Sequence, residues 1–162
     1  MRSRTLFLPL VISLLCLLTV TTVNVMCEKS LRMDERKTQL QYAGDMALSV
    51  IKEYAALAAS GAMLETEARK QALLRINNLH YGETGYFVVF DSNAVLIHPF
   101  KPEMVGTSPG AFKGPDGKGV LIDALNAVKK SGAGFTTFLW PKPGRQQPEP
   151  KLAYDNGYQP WG

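Results

Sequence analysis

Residues 6–25 read LFLPLVISLLCLLTVTTVNV and carry no charged side chain. As a helix, about 20 such residues span a hydrocarbon core of ~30 Å. Whatever follows is therefore expected to be held at a membrane by its N-terminal end. A cleaved secretory signal has a shorter apolar stretch, roughly 7–15 residues, closed by small residues at the cleavage site. Here Asn24, Val25 and Met26 precede Cys27, which matches neither that site nor a lipoprotein processing site. The segment reads as an uncleaved signal anchor that crosses the membrane once in this chain. Arg2 and Arg4 stand before it and Lys29, Arg32, Arg36 and Lys37 after it, so counting basic residues alone leaves the orientation open.

The 162 residues allow one ordinary domain beyond the anchor. The 46% hydrophobic and 20% charged residues argue against intrinsic disorder. Of the 18 Lys and Arg, Arg2 and Arg4 precede the apolar run, which leaves 16 beyond it against 14 Asp and Glu. These charges are interspersed, and a nucleic-acid partner would require a clustered basic face. Cys16 and Cys27 lie eleven residues apart, about 16 Å along a helix, and cannot pair with each other. A free thiol is the expectation for Cys27, a bridge to a second copy the alternative.

Beyond the anchor, Leu40, Ala43, Ala47, Val50, Ile51, Tyr54 and Ala58 recur at helical spacing, with no proline between Cys27 and Ser60. They imply one long helix leaving the membrane and ending near Gly61. Its stripe suits packing on a domain and on a partner helix, so a homodimer through this helix is expected, with Ala47 and Ile51 in the contact. A second helix is expected at 65–79, with Ala68, Ala72, Leu73, Ile76 and Leu79 inward and an ion pair of Glu65 with Arg69 outside. The period then changes. GYFVVF at 85–90, turn residues at 91–93 and AVLIH at 94–98 read as a hairpin. Residues 99–119 form a Gly/Pro-rich stretch far longer than a median connection of ~4–6 residues. Leu121, Ala124, Leu125 and Val128 mark a third helix capped by Gly132. GFTTFLW at 134–140 is a third strand, and a fourth begins at Lys151. Two helices followed by an antiparallel sheet with one crossover helix make an α+β domain.

Enzymatic readings fail in turn. The GPDGKG run at 114–119 lacks the Ser or Thr of a phosphate-binding loop and reads as a turn. His80 and His98 are the two histidines and stand on different elements, without a further ligand at metal spacing. Neither catalysis, a metal nor a cofactor is expected. Strand alternation groups Tyr86, Val88 and Phe90; Ala94, Leu96 and His98; and Thr136, Phe138 and Trp140, with Lys151 opening the next strand. An aromatic-lined cleft with a few polar groups is how small-ligand sites are built. Lys151, His98 and the tyrosine hydroxyls suit a small carboxylate. An unperturbed His98, with a pKa near 6.5, would favour such binding as pH falls from about 8 to about 6.

Several short runs recur in one order: INNLHYG at 76–82, GYF at 85–87, Asp91, His98-Pro99, Gly106, Asp116-Gly117, Gly132 with Gly134-Phe135, WPKP at 140–143, Lys151 with Tyr154, and Trp161-Gly162. This set resembles the single Cache domain, type 2, over about residues 28–162. That family forms the extracytoplasmic sensors of bacterial methyl-accepting chemotaxis proteins, sensor kinases and cyclic-di-GMP enzymes. The resemblance implies a long membrane-proximal helix, a second helix and a PAS-like antiparallel sheet holding small organic acids. It implies a cytoplasmic N-terminus at 1–5, an anchor at 6–25 in the bacterial inner membrane, and a periplasmic sensor domain at 28–162. Family members often carry Arg where this chain has His80. They continue past Trp161-Gly162 with another strand, a second membrane helix and an output module, so 28–162 is expected to be a domain short of its last strand and marginally stable.

The expected function is chemoreceptor-like sensing of a small organic acid, with Tyr86, His98, Trp140, Lys151 and Tyr154 as the ligand contacts. Lys151 would pair with the carboxylate, His98 and the hydroxyls would orient it, and Trp140 would cover its apolar end. The alternatives are the sensor of a histidine kinase or diguanylate cyclase, and a membrane-tethered interaction protein with no ligand.

Overall fold

A computed structural model describes the backbone of residues 2–162 and the side chains of 11–162. Met1 lies outside the described residues, and the expected cytoplasmic stretch 1–5 lies outside those with described side chains. Helix α1 (Arg2–Ala59) carries a first unit, Met1–Gln39, and contributes residues 40–59 to a second, Leu40–Gly162. Within the first unit α1 contains an 18-residue window of mean hydropathy 1.9 whose side chains are exposed, Leu14, Leu17, Leu18 and Val23 among them. It is long and apolar enough to cross a membrane. Its hydroxyls are satisfied within the helix: Thr19 donates to the Cys16 carbonyl at 2.8 Å, Thr21 to Leu17 at 3.0 Å and Thr22 to Thr19 at 2.8 Å. A helix in lipid needs that, because hydrocarbon offers no partner for a polar hydrogen.

In the second unit α1 ends as expected, with Gly61 at φ 75° just beyond it. Its buried positions are Ala43, Gly44, Ala47 and Ala55. Helix α2 (Glu65–Asn77) buries Ala68, Ala72 and Ile76. On its outer side Arg69 bonds Glu65 at 2.7 Å and also donates to the Trp161 carbonyl at 3.1 Å, fastening the last turn of the chain.

The expected strand at 85–90 is two short strands. β1 (His80–Tyr81) pairs antiparallel with β2 (Gly85–Tyr86), and β3 (Val89–Phe90) with β4 (Val95–Ile97), with the register slipping between Val89 and Phe90. Phe87 and Val88 fall outside both ladders. That irregularity lets one segment serve two partners. The Asp91 carboxylate closes the turn between β3 and β4, accepting from the N–H of Asn93 at 2.7 Å and of Ala94 at 2.8 Å.

Alternation in β4 runs opposite to the expected grouping. Val95 and Ile97 are buried, at 0% and 7% exposure, while Leu96 is 37% exposed. His98 is buried too, because the strand stops at Ile97 and its alternation no longer applies. Gly106 donates to the Val95 carbonyl at 2.8 Å and Val95 to that of Thr107 at 3.0 Å. The long 99–119 connection is thereby stitched to the free side of β4. Its Met104 and Phe112 form a core with Val95, against which Val88, Phe90, Leu121 and Trp140 pack.

Helix α3 (Val120–Ser131) ends at Gly132, which adopts φ 77° and donates to the Val128 carbonyl at 2.7 Å. The two longest strands follow: β5 (Ala133–Pro141) pairs over its whole length with β6 (Pro148–Asn156), which begins three residues before the expected start at Lys151. Gly134 accommodates α3, since a Cβ there would stand 3.1 Å from that of Ala127. Gly44 accommodates β6 against α1, since a Cβ would stand 2.7 Å from the Tyr154 ring.

This last contact is testable. Gly44→Ala forces the Tyr154 ring or α1 to shift, and overpacking of this kind costs about 1–3 kcal/mol. In chemical denaturation Gly44→Ala should lower stability by that amount, and a Tyr154→Ala background should remove most of the penalty. Additive losses would mean that Tyr154 is not what restricts Gly44.

Candidate functional site

The β5–β6 ladder fixes which side chains can meet. In an antiparallel pair, directly opposed residues share a face. Phe138 opposes Lys151, Trp140 opposes Glu149, and Thr136 opposes Ala153. Trp140 and Lys151 therefore stand on one face, as diagonal neighbours.

Tyr86 and His98 arrive there from other elements. The Lys151 ammonium donates to the Tyr86 hydroxyl at 3.4 Å and lies 5.2 Å from the centre of its ring. The Tyr86 ring stands 5.5 Å from that of His98 and 4.9 Å, edge to face, from that of Phe100. Four of the five expected contacts, Tyr86, His98, Trp140 and Lys151, lie in this neighbourhood.

Tyr154 does not join them. Three residues past Lys151 on a strand, it points to the other face, where it packs 5.0 Å from Phe135 and against α1 at Gly44. The period of two rules it out of a cluster with Lys151.

Lys101, which pattern reasoning passed over, belongs to the cluster. Its ammonium lies 4.5 Å from the centre of the Trp140 ring, a cation–π arrangement. Its backbone N–H donates to Nδ1 of His98 at 3.1 Å. Nothing periodic marks Lys101, because it sits in the irregular connection; its one signal was standing three residues from His98. His80 opposes Tyr86 in the β1–β2 ladder, and its ring meets that of Phe100 edge-on at 6.4 Å. At the position where Arg was the comparison, the chain thus has an imidazole joined to Tyr86 through Phe100.

Burial pushes the Lys151 pKa down, and Lys142 and Lys101 push it the same way while Glu149 opposes them. Burial also raises that of the Tyr86 hydroxyl, which stays a neutral donor at physiological pH. His98 is lowered, first by burial and then by Lys101 and, less, Lys151, against its own backbone hydrogen bond and Glu103. Because Nδ1 accepts from the backbone, the neutral ring carries its proton on Nε2 and can donate from there. The site is thus a set of donors and ammonium groups on an aromatic bed, fit to receive a small anion.

The model of the family Single Cache domain 2 matches residues 32–162. The chain belongs to this family. It is 27% identical over 161 residues to the methyl-accepting chemotaxis protein McpP of Pseudomonas putida, covering 99% of this chain and 30% of that protein. It is 28% identical over 165 residues to the sensor histidine kinase MctS of Rhizobium johnstonii, covering 94% of this chain and 34% of that one. The chain spans about a third of the length of these curated relatives. Among solved structures, a periplasmic sensor domain of a chemotaxis protein superposes with a TM-score of 0.78 at 33% identity, over 80% of this chain and 91% of that one. A Cache chemosensory domain solved as a basis for carboxylic acid recognition superposes at 0.76 and 32% identity, over 83% and 91%. The α+β Cache fold is therefore that of periplasmic sensor domains.

The lowered His98 pKa moves the expected pH response. With Lys101, Glu103, Lys151 and Tyr86 around it, the folded ring resists a proton that the unfolded ring accepts below about pH 6.5. The unfolded state then binds more protons, so stability falls as pH drops through that value. His98→Asn keeps an acceptor for the Lys101 N–H and removes the titration. Denaturation from about pH 7.5 to about pH 5 should show a steeper loss in the wild type than in His98→Asn. Equal slopes would show that the ring titrates normally.

Proposed function

We propose that the chain is the extracytoplasmic ligand-sensing region of a chemoreceptor-like signal transducer of the bacterial inner membrane, and that it binds a small organic acid. What carries this reading is the meeting of the Lys151 ammonium with the Tyr86 hydroxyl, beside His98 and Trp140, with no carboxylate of the protein paired to that ammonium among the described residues. A half-buried ammonium without a counter-ion favours an anion, and the flanking rings suit a short apolar tail. The likeness to a Cache domain that recognises carboxylic acids points the same way. The segment 6–25 is the anchor in this reading, with the domain on the periplasmic side. Nothing in the site calls for bond-making chemistry, and we read the chain as a sensor rather than an enzyme.

The proposed homodimer through α1 uses a different face from the one expected. Ala47 is buried within its own domain and Ile51 is half-buried, whereas Tyr42 and Met46, one turn apart, are 65% and 62% exposed. A second copy of α1 would cover them.

Truncating one partner of a desolvated charge pair costs on the order of 2–5 kcal/mol. Lys151→Ala should accordingly weaken binding of C2–C4 carboxylates by at least ~30-fold in calorimetry, with the fold kept. Unchanged affinity in a folded variant would remove Lys151 from the site and this reading with it. For the dimer, cysteines placed at Tyr42 and Met46 in membrane-inserted chains should crosslink more readily than one placed at Lys52. Equal yields would put the dimer contact elsewhere.

A further inference from the structure

We propose that Lys101 is a second, specificity-determining cation of this site, and that the preferred ligand is a C4 dicarboxylate rather than a monocarboxylate of the same length. The inference rests on the carboxylate reading above and goes further in naming the charge of the ligand.

Two ammonium groups flank the same aromatic face. That of Lys101 lies over Trp140 at 4.5 Å, and that of Lys151 lies beside Tyr86 at 5.2 Å. Trp140 and Lys151 are diagonal neighbours on adjacent strands, a relation that spans about 7–8 Å between backbones. Among the described residues, neither ammonium forms an ion pair. The nearby carboxylates act on the site without pairing with either ammonium. Glu149 is held by Lys142 at 2.5 Å and Arg145 at 3.2 Å, so its charge is already met by two cations at the hairpin end. Asp155 lies on the Lys151 face but four residues further along β6, roughly 13 Å away. It is committed to the Thr136 hydroxyl, which donates to it at 2.6 Å. Glu103 acts on His98, opposing the effect of Lys101 there.

The face therefore presents two ammonium groups that no carboxylate of the described residues pairs with, Glu149 and Glu103 acting only without direct contact. A monocarboxylate neutralises one and leaves the other partly desolvated beside an apolar tail. A C4 dianion, whose two carboxylates stand at the ends of a two-carbon spacer, can face both. Uncompensated charge in a part-buried site is costly, so the difference between the two ligands lies in the second charge rather than in area. Cation–π attraction to Trp140 steers the Lys101 ammonium without neutralising it, and leaves its hydrogens for a ligand oxygen.

The test uses the 162-residue chain reconstituted in lipid nanodiscs, titrated calorimetrically with succinate and with butyrate at about pH 7.5, where all carboxyls are ionised. Succinate should bind at least about ten-fold tighter than butyrate. Lys101→Met should lower succinate affinity by about ten-fold or more and butyrate affinity by less than about three-fold. Lys101→Arg, which keeps the charge, should retain the preference and serves where the methionine variant does not fold. Equal or tighter butyrate binding by the wild type would overturn the dianion assignment. A fall of both affinities by one factor in Lys101→Met would make Lys101 merely structural. Binding of neither acid would instead sink the carboxylate reading on which the inference stands.

Discussion

The antiparallel ladder of β5 and β6 decides the geometry of everything around it. Nine successive pairings from Ala133 with Asn156 to Pro141 with Pro148 leave no freedom in which side chains share a face. A slip of one residue would turn Lys151 away from Trp140 and bring Pro150 or Leu152 opposite Phe138 in its place. Three glycines show how closely other elements approach this ribbon. Gly134 and Gly157 admit Ala127 and Val128 of α3, and Gly44 admits the Tyr154 ring. Each lacks a Cβ where one would collide, so the chain has small residues where its backbones must come close.

Much of this was legible from periodicity. The end of α1 near Gly61, the inward alanines of α2, the Gly132 cap of α3 and the Asp91 turn all follow from local rules that nearby residues obey. Legibility failed where the rule was regular and the chain was not. The segment 85–90 looks like one strand because its composition is uniformly β-prone, yet a slip at Val89 divides it between two partners. Leu96 and His98 looked co-facial by counting twos, but β4 ends at Ile97 and the count ends with it. Tyr154 is the opposite lesson: the count of twos already set it apart from Lys151, and the recurring Lys151 and Tyr154 pairing had grouped them by sequence order rather than by face.

Lys101 marks what pattern alone could not reach. The connection 99–119 has no period to read, and its position is set by two backbone hydrogen bonds to the edge of β4 together with Met104 and Phe112 in the core. Only once that segment is folded onto β4 does Lys101 stand over Trp140. The same contact determines the chemistry of His98, whose Nδ1 is taken by the Lys101 N–H and whose ring is kept neutral by burial beside two ammonium groups. One loop residue thus acts on the site twice, through its backbone on the histidine tautomer and through its side chain on the charge.

The charge has a consequence for how the domain responds to a ligand. Burial lowers the Lys151 pKa first, and Lys142 and then Lys101 add to it, so lysines 101 and 151 repel one another across a part-buried face. They belong to different elements: Lys151 to a fully paired strand, Lys101 to the connection that is bonded to the edge of β4 and anchored by Met104 and Phe112. In the carboxylate reading proposed above, an anion placed between them would turn repulsion into two attractions. In that reading the ligand would tie the 99–119 segment, with Met104 and Phe112 in the core beneath it, to β6. β6 is shared between the site through Lys151 and α1 through Tyr154. A carboxylate held between Lys101 and Lys151 would thus bear on a strand whose other face rests, through Tyr154, on α1 at Gly44.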